Sequence, residues 1–271
     1  MLDTVQALAR RGREAAVLPV GRDGLVDLDA ARAAIGPGTT LVAAMLVNNE
    51  IGVIQPVAEL AGLAHAAGAL FLCDAVQGYG RLAVPEECDL IAVSAHKIHG
   101  PKGIGALWIR DGIALEPLLH GGGQEAGGRS GTLSPALCAG FGAAAKLAEA
   151  RAQEDRAHVE RLFARAVERL GPDWTLNGSA EQRYRGNLNV RFAGLDVARL
   201  MSDLRDIAFS AGSACASGSG RPSHVLRAIG LGDAGARSSI RIGFGRYTDE
   251  TELVTALGRI DAAARAQRVA A

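Results

Sequence analysis

The chain contains 271 residues, of which 48% are hydrophobic and 4% aromatic, so it is long enough for one large domain or two ordinary ones. Lys and Arg together number 29, as do Asp and Glu, and the formal net charge is zero. This balance does not favour a nucleic acid or an anionic membrane surface as a partner, and no apolar run reaches the roughly 18 residues of a membrane span. The first residues lack the pattern of a secretion signal, so a cytoplasmic location is expected.

Short apolar runs alternate with helical patterns over the first half of the chain. The runs predict strands at 15–20, 40–47, 69–73, 90–94 and 106–109. Helices are predicted at 27–35, which has acidic residues in its first turn, and at 56–67, which begins near a proline and ends before a glycine. Apolar runs without alternation, separated by helices, predict an α/β fold whose mostly parallel sheet is buried on both faces.

The second half begins with one long alanine-rich helix predicted at 135–170. Strands are then predicted at 187–192, 207–209 and 239–244, and helices at 222–229 and from residues 197 and 249 onwards. We therefore expect a large domain at 1–150 and a smaller α+β domain at 151–271, with the long helix bridging them.

The four cysteines show no metal-binding spacing, so no metal site is predicted. Cys73, Cys88 and Cys138 lie in apolar or alanine-rich runs and are interpreted as buried structural residues. Cys215 instead lies in a run of Ser, Ala and Gly, where a reactive thiol and an incidental surface cysteine both remain open.

The densest group of chemically useful residues lies at 94–105, between two apolar runs. It contains Ser94, His96 and Lys97, followed by glycines and a proline. A lysine between two buried strands is costly unless it has a role, and a partly desolvated amine is a usable nucleophile. The pattern favours Schiff-base chemistry, and pyridoxal phosphate is the carbonyl compound most often offered to such a lysine.

Other segments offer groups that could bind such a ligand. Asp74 ends a predicted strand and could pair with a pyridine nitrogen, or cap a helix, and Gln77 could donate to a ring oxygen. Ser94, His96 and neighbouring N–H groups could hold a phosphate. Asn49, just after a strand, could bind a planar ligand or belong to an Asx turn.

Two arginine-containing segments are also candidates for binding anionic groups. The glycine-rich segment 120–132, which ends at Thr132, could reach a phosphate, including one in another subunit, or be a connector. Arg241, in a predicted strand, could bind a substrate carboxylate through two hydrogen bonds or form a surface ion pair.

Taken in order, these segments resemble the cysteine desulfurases, which are pyridoxal-phosphate enzymes of fold type I in the class-V aminotransferase group. The resemblance covers essentially the whole chain. It rests on Asn-Asn-Glu-Ile-Gly at 48–52, Asp-Ala-Val-Gln at 74–77, Ser-Ala-His-Lys at 94–97, Arg-Ser-Gly-Thr at 129–132 and Ser-Ala-Cys-Ala-Ser at 213–217.

The resemblance implies specific roles. Lys97 would form the Schiff base with pyridoxal phosphate, and Cys215 would take sulfur from L-cysteine as a persulfide. The remaining roles would be ring and substrate contacts by Asn49, Asp74 and Gln77, phosphate binding by Ser94 and His96, and binding of the substrate carboxylate by Arg241. Thr132 would reach the phosphate of the neighbouring subunit in a homodimer. An iron–sulfur scaffold or another sulfur-acceptor protein would receive the sulfur.

The chain differs from the family that it resembles in its N-terminal region. Family members carry an N-terminal portion before the region that matches Met1, including a histidine that stacks on the cofactor. We therefore expect an incomplete sheet with exposed edges. Two further functions remain open: a related class-V enzyme, such as a selenocysteine lyase or an aminotransferase, and a catalytically incomplete sulfur acceptor or partner-binding protein.

Overall fold

The first part of the chain folds around a four-stranded sheet. The computed structural model describes residues 1–212 and 223–269. After α1 (Leu2–Arg10) and α2 (Leu28–Ala34), the sheet strands are β1 (Leu41–Met45), β2 (Leu70–Asp74), β3 (Leu90–Ser94) and β4 (Gly105–Ile109), in the order β1-β2-β3-β4. The first three strands are parallel and β4 is antiparallel to β3. The predicted α/β fold with a mostly parallel sheet is confirmed.

Packing of α3 (Val57–Ala66) against β1 and β2 forms the core of this layer. Phe71, Cys73, Leu60 and Ala64 are completely or almost completely buried there. The open end of the sheet is β4, in which every residue is exposed. Leu107 and Trp108 are 46% and 49% exposed and, as neighbours in a strand, point to opposite faces. The sheet therefore has an exposed edge at β4, as expected from the sequence.

A second sheet forms the later layer. Its strands are β5 (Trp174–Leu176), β6 (Asn187–Phe192), β7 (Ser210–Ala211) and β8 (Ser239–Gly243), in the antiparallel order β5-β6-β8-β7. The helices of this part are α4 (Pro135–Ala150), α5 (Ala152–Leu170), α6 (Val197–Asp203), α7 (His224–Ala228), α8 (Asp233–Arg237) and α9 (Glu250–Val269). Because α5 packs on α9 and α6 on α9, their apolar faces share one core with the sheet.

Several element predictions are wrong in detail. Residues 15–20 form no strand: only Val20 makes an isolated bridge, with Val26, and Val17 is 68% exposed. The strand predicted at 207–209 is displaced to Ser210–Ala211. The long helix at 135–170 is two helices, interrupted at Arg151 (φ −107°, ψ 7°). The two halves have different partners, since α4 packs on the turn at 95–98 and α5 on α9.

Among the described residues, every helix falls short of the length or the apolarity that crossing a bilayer requires.

One buried carboxylate joins three elements of the first layer. Asp89 accepts hydrogen bonds from the Phe71 N–H (2.7 Å), His65 Nε2 (2.8 Å) and Arg110 Nε (3.1 Å). Burial raises the pKa of Asp89, but the bonds from His65 and from the Phe71 N–H outweigh it, so the pKa lies below its ordinary value. Asp89 therefore stabilises the fold as a carboxylate.

Replacing Asp89 by Asn should lower the free energy of unfolding by about 1–3 kcal/mol at neutral pH. A carboxyl whose pKa is lower in the folded state contributes fully above its unfolded pKa of about 3.9, and this contribution is lost as the pH falls through the folded pKa. Denaturant titrations should therefore show a difference between wild type and Asp89→Asn that is full at neutral pH and shrinks below about pH 4. Asp203→Asn, in an exposed pair with Arg199 (3.8 Å), should change stability by less than about 0.5 kcal/mol. Equal losses in the two variants would contradict the role of Asp89.

Candidate active site

The carboxyl ends of β1, β2 and β3 meet at one edge of the first sheet, where ligands bind in open α/β folds. Asp74 is the last residue of β2 and Ser94 the last of β3. Asn48 and Asn49 follow β1. A single turn of 3₁₀ helix, Ala95–Ile98, begins directly after Ser94 and carries Lys97. The parallel topology thus brings the predicted residues of three distant segments to one edge.

Local hydrogen bonds fix several of these side chains. An Asp74 carboxylate oxygen accepts from the Val76 N–H (3.1 Å), which closes a turn and begins no helix. Ser94 Oγ and His96 Nδ1 lie 2.8 Å apart. An Asx turn is formed by Asn48, the neighbour of Asn49: Asn48 Oδ1 accepts from the N–H groups of Glu50 and Ile51 (2.9 and 3.0 Å). The Asn49 side chain is not used by this turn.

The turn at 48–52 also joins the two layers. The Asn49 carbonyl accepts from Arg241 Nη1 (2.9 Å) on β8 and from Asn187 Nδ2 (3.0 Å) on β6. The Glu50 carbonyl accepts from Asn189 Nδ2 (2.9 Å), and the Tyr184 N–H donates to the Gly52 carbonyl (2.9 Å). Side chains of the second sheet, and the backbone of the segment that precedes β6, therefore contact the turn that follows β1.

Glu50 extends this junction into a buried polar network. It is 3% exposed and its carboxylate accepts from Ser223 Oγ. Burial raises the pKa of Glu50, opposed by the Ser223 hydrogen bond and the charges of His224 and Arg241. Asn189 Nδ2 also donates to the Gly212 carbonyl (3.2 Å). The residues on either side of segment 213–222 are thus tied to the same network.

A cleft of about 800 Å³ lies between the two layers. Five predicted site residues line it: Asn49, Gln77, His96, Lys97 and Arg241. Asp74 and Ser94 lie at the same sheet edge but not in the lining. Thr132 lies in an exposed segment elsewhere on the described surface. Cys215 falls outside the described residues, as do Pro222 and the start of the helix predicted there.

The cleft is more cationic than the sequence interpretation suggested. Its lining adds Arg81, Arg156, Arg183, Arg185 and Arg246 to Lys97 and Arg241. Its described acidic residues are Asp155, Glu160 and Glu181. Such an excess of positive charge suits a ligand that carries phosphate or carboxylate groups.

Three of these arginines are fixed by neighbours. Arg246 forms an ion pair with Asp155 at the start of α5. Arg183 is 4% exposed and donates to the Ser179, Asn187 and Asn177 carbonyls; burial and nearby Arg185 lower its pKa to about 10. Arg81 donates to Gln77 and to the Lys97 carbonyl. The spacing of four residues between Gln77 and Arg81 was the one local signal that could have indicated Arg81.

His99 also lines the cleft and packs edge-on against Tyr247, with ring centres 5.2 Å apart. Burial and the charges of Arg246 and Arg81 lower its pKa. It adopts a left-handed conformation (φ 66°) at the end of the 95–98 turn.

The structural interpretation of two cysteines agrees with their burial. Cys73 and Cys88 are fully buried, and burial raises the pKa of both thiols. Cys138 is partly exposed. Within residues 1–212 and 223–269, no three His, Cys, Asp or Glu side chains are grouped so as to hold a metal ion.

Gly52 should tolerate substitution poorly because it meets the second layer closely. It has a left-handed backbone (φ +72°), and an added Cβ would lie 3.1 Å from Asn187 Cβ and 3.2 Å from the Tyr184 carbonyl oxygen. Gly52→Ala should therefore lower the free energy of unfolding by about 1–3 kcal/mol. Gly68→Ala is the matched control, since Gly68 has a similar φ (+77°) and open space around its Cβ position. Denaturant titration should show the larger loss for Gly52→Ala, and equal losses would mean that the contact is loose.

Comparison with known proteins agrees with this fold. Residues 2–255 match the family described as aminotransferase class-V. The match covers far more than half of the chain, and the chain belongs to this family.

Its relatives include enzymes named for one reaction. The chain is 47% identical over 260 residues to the mitochondrial cysteine desulfurase of Saccharomyces cerevisiae, covering 93% of this chain and 52% of that protein. It is 42% identical over 268 residues to the cysteine desulfurase IscS of Rickettsia rickettsii, covering 96% and 65%. A solved NifS-like protein has a TM-score of 0.88 at 32% identity, covering 97% and 71%. The chain thus spans about half to two thirds of the length of these curated relatives.

Proposed function

We propose that this chain carries the catalytic residues of a pyridoxal-phosphate-dependent cysteine desulfurase, which converts L-cysteine to L-alanine and leaves a persulfide on Cys215. The observation that carries the proposal is the convergence of Lys97, Gln77, Asn49 and Arg241 on one cationic cleft. The names of the relatives support the same reaction.

The residues present fit pyridoxal phosphate in size, charge and donor chemistry. The cleft of about 800 Å³ lies within the range of about 300–1,000 Å³ that is typical of small-molecule sites, and it offers an amine at Lys97. Asp74 would pair with the ring nitrogen, Gln77 and Asn49 would contact the ring oxygen and substrate, and Ser94 with His96 would hold the phosphate. When bound, the cofactor would supply an electron sink at its ring.

The remaining steps belong to protein residues. Arg241 would bind the substrate carboxylate, while its Nη1 bond to the Asn49 carbonyl fixes the guanidinium. Lys97 would move the proton at the substrate Cα. The Cys215 thiolate would attack the substrate sulfur: an S–S bond forms, the Cβ–S bond breaks, and its electron pair stays with carbon, which is then protonated. Carbon is reduced as sulfur is oxidised, so no outside oxidant or reductant is needed.

The proposal extends to assembly and partners. The protein would act as a homodimer in which Thr132 reaches the neighbouring subunit's phosphate. An iron–sulfur scaffold or a thio-modification acceptor would take the sulfur. We propose the domain boundary at 150/151, the break between α4 and α5. The cytoplasmic location remains a prediction, because the relatives include proteins named as mitochondrial.

The test is incubation of the purified chain with pyridoxal phosphate, L-cysteine and a thiol reductant. Alanine and sulfide should appear in equal amounts, and without reductant the Cys215 peptide should gain the mass of one sulfur atom. Cofactor binding without alanine formation would overturn the proposal. Keto-acid formation that survives Cys215→Ala would indicate an aminotransferase. In a parallel assay with L-selenocysteine, release of selenide from that substrate without release of sulfide from L-cysteine would indicate a selenocysteine lyase. A chain that binds no cofactor but accepts sulfur from a persulfide donor would be an acceptor protein.

A further inference from the structure

Arg81 contacts two residues of the proposed cofactor site at once. It donates from Nη1 to the Gln77 carbonyl (3.0 Å) and to Gln77 Oε1 (3.2 Å), and from Nη2 to the Lys97 carbonyl (2.7 Å). Its guanidinium also lies over the Tyr184 ring of the second layer, 5.1 Å from the ring centre. These contacts join the segment after β2, the turn after β3 and the second layer.

The contact with Lys97 completes a very short helix. The 95–98 turn is closed by N–H groups of His99 and Gly100, both of which donate to the Ala95 carbonyl. The carbonyls at the end of a helix have no partner within it, and Lys97 carries one of them. Arg81 supplies that partner from another segment, which fixes the backbone from which the Lys97 amine extends.

The hydrogen bond from Arg81 fixes the orientation of the Gln77 side-chain amide. Because Oε1 accepts from Arg81, Nε2 is the end that can donate to a ligand in the cleft. A planar fork with five N–H groups can make these bonds together, whereas a lysine ammonium at the same position is a point charge without fixed geometry. We propose that Arg81 is a positioning residue, which fixes both the backbone conformation at Lys97 and the orientation of the Gln77 amide. This inference rests on the proposed function.

The first readout needs neither cofactor nor turnover. In the cofactor-free chain, amide hydrogen exchange at His99 and Gly100 should be at least about tenfold faster in Arg81→Met than in wild type, because the turn loses the hydrogen bond from Arg81 to the Lys97 carbonyl. Arg81→Lys should fall between them. Arg268→Met is the matched control, since Arg268 also donates to a backbone carbonyl, Ala193, and lies over an aromatic ring, Phe192 (4.0 Å); it should leave both amides unchanged.

The second readout uses the chain loaded with pyridoxal phosphate. Loss of a positive charge from the cleft should raise, by about one pH unit, the midpoint of the pH-dependent absorbance change of the Lys97-bound cofactor. Unchanged exchange and an unchanged midpoint in Arg81→Met would overturn the proposal. Wild-type exchange in Arg81→Lys would overturn the role of the fork, whereas its midpoint should stay near that of wild type because lysine keeps the positive charge. If the chain lacks desulfurase activity, the exchange result still decides whether Arg81 holds the turn.

Discussion

Replacement of Lys97 by Arg should abolish covalent attachment of pyridoxal phosphate and reduce alanine formation at least about 1,000-fold. The guanidinium keeps the positive charge but is not deprotonated in proteins, so it cannot act as the amine nucleophile or move a proton. The measurement is borohydride reduction in the presence of cofactor, followed by peptide mapping. The chain has three lysines, at positions 97, 102 and 146, so attachment can be assigned without ambiguity.

Lys102→Arg is the matched control, because Lys102 lies five residues further along in the same glycine-rich segment and is exposed. It should retain both cofactor attachment and turnover. Attachment at Lys102 or Lys146 in the wild-type chain, or undiminished turnover in Lys97→Arg, would contradict the assignment of Lys97.

Replacement of Arg241 by Met should weaken binding of L-cysteine by a factor of about 10–150, which corresponds to about 1.5–3 kcal/mol for hydrogen bonds to a charged group. The physical reason is the loss of the proposed cationic partner of the substrate carboxylate. KM should rise more than kcat falls, because that carboxylate is bound in both the ground state and the transition state. Steady-state kinetics with L-cysteine, and binding of cysteamine, which lacks the carboxylate, would measure the effect.

Asn187→Ala separates this effect from a structural one. Asn187 Nδ2 and Arg241 Nη1 donate to the same Asn49 carbonyl, at 3.0 and 2.9 Å. Both variants therefore lose one bond to that oxygen, but only Arg241→Met loses a cation. The preference for L-cysteine over cysteamine should decrease in Arg241→Met and persist in Asn187→Ala. An equal decrease in both variants would mean that Arg241 acts only by holding Asn49.

Strands with strong apolar runs could be predicted from the sequence, because a strand that is buried on both faces needs apolar side chains along its whole length. Phe71 and Cys73 are fully buried, and the run that contains them indicates a central strand whatever surrounds it. The exposed run at 15–20 lacked this support: its valine at 17 points to solvent, and apolar character alone does not make a strand. The break at Arg151 was hidden for a similar reason, because α4 and α5 share one helical pattern but pack on different layers.

Some residues of the candidate site could likewise be predicted from the sequence, whereas others could not. Lys97, Gln77 and Asn49 stand just after predicted strands, and parallel strands bring such positions together at one edge. Tyr184 and Arg246 gave no comparable signal, and Arg81 gave only its spacing of four residues from Gln77, since the places of these residues in the cleft also depend on contacts between separate segments. Arg246, for example, reaches the cleft beside Asp155, 91 residues earlier in the chain.

The sequence by itself therefore determined the α/β class, the order of most elements and the residue types on which the proposed chemistry depends. Hydrophobic periodicity and the ends of strands are local properties, because they are determined by residues close together in the sequence. Only the tertiary structure decided that the turn at 48–52 bonds to the second sheet, that the cleft is rich in arginine, and that Arg81 bonds to both Gln77 and Lys97. These features depend on side chains from separate segments meeting at hydrogen-bond distance, which no local pattern encodes.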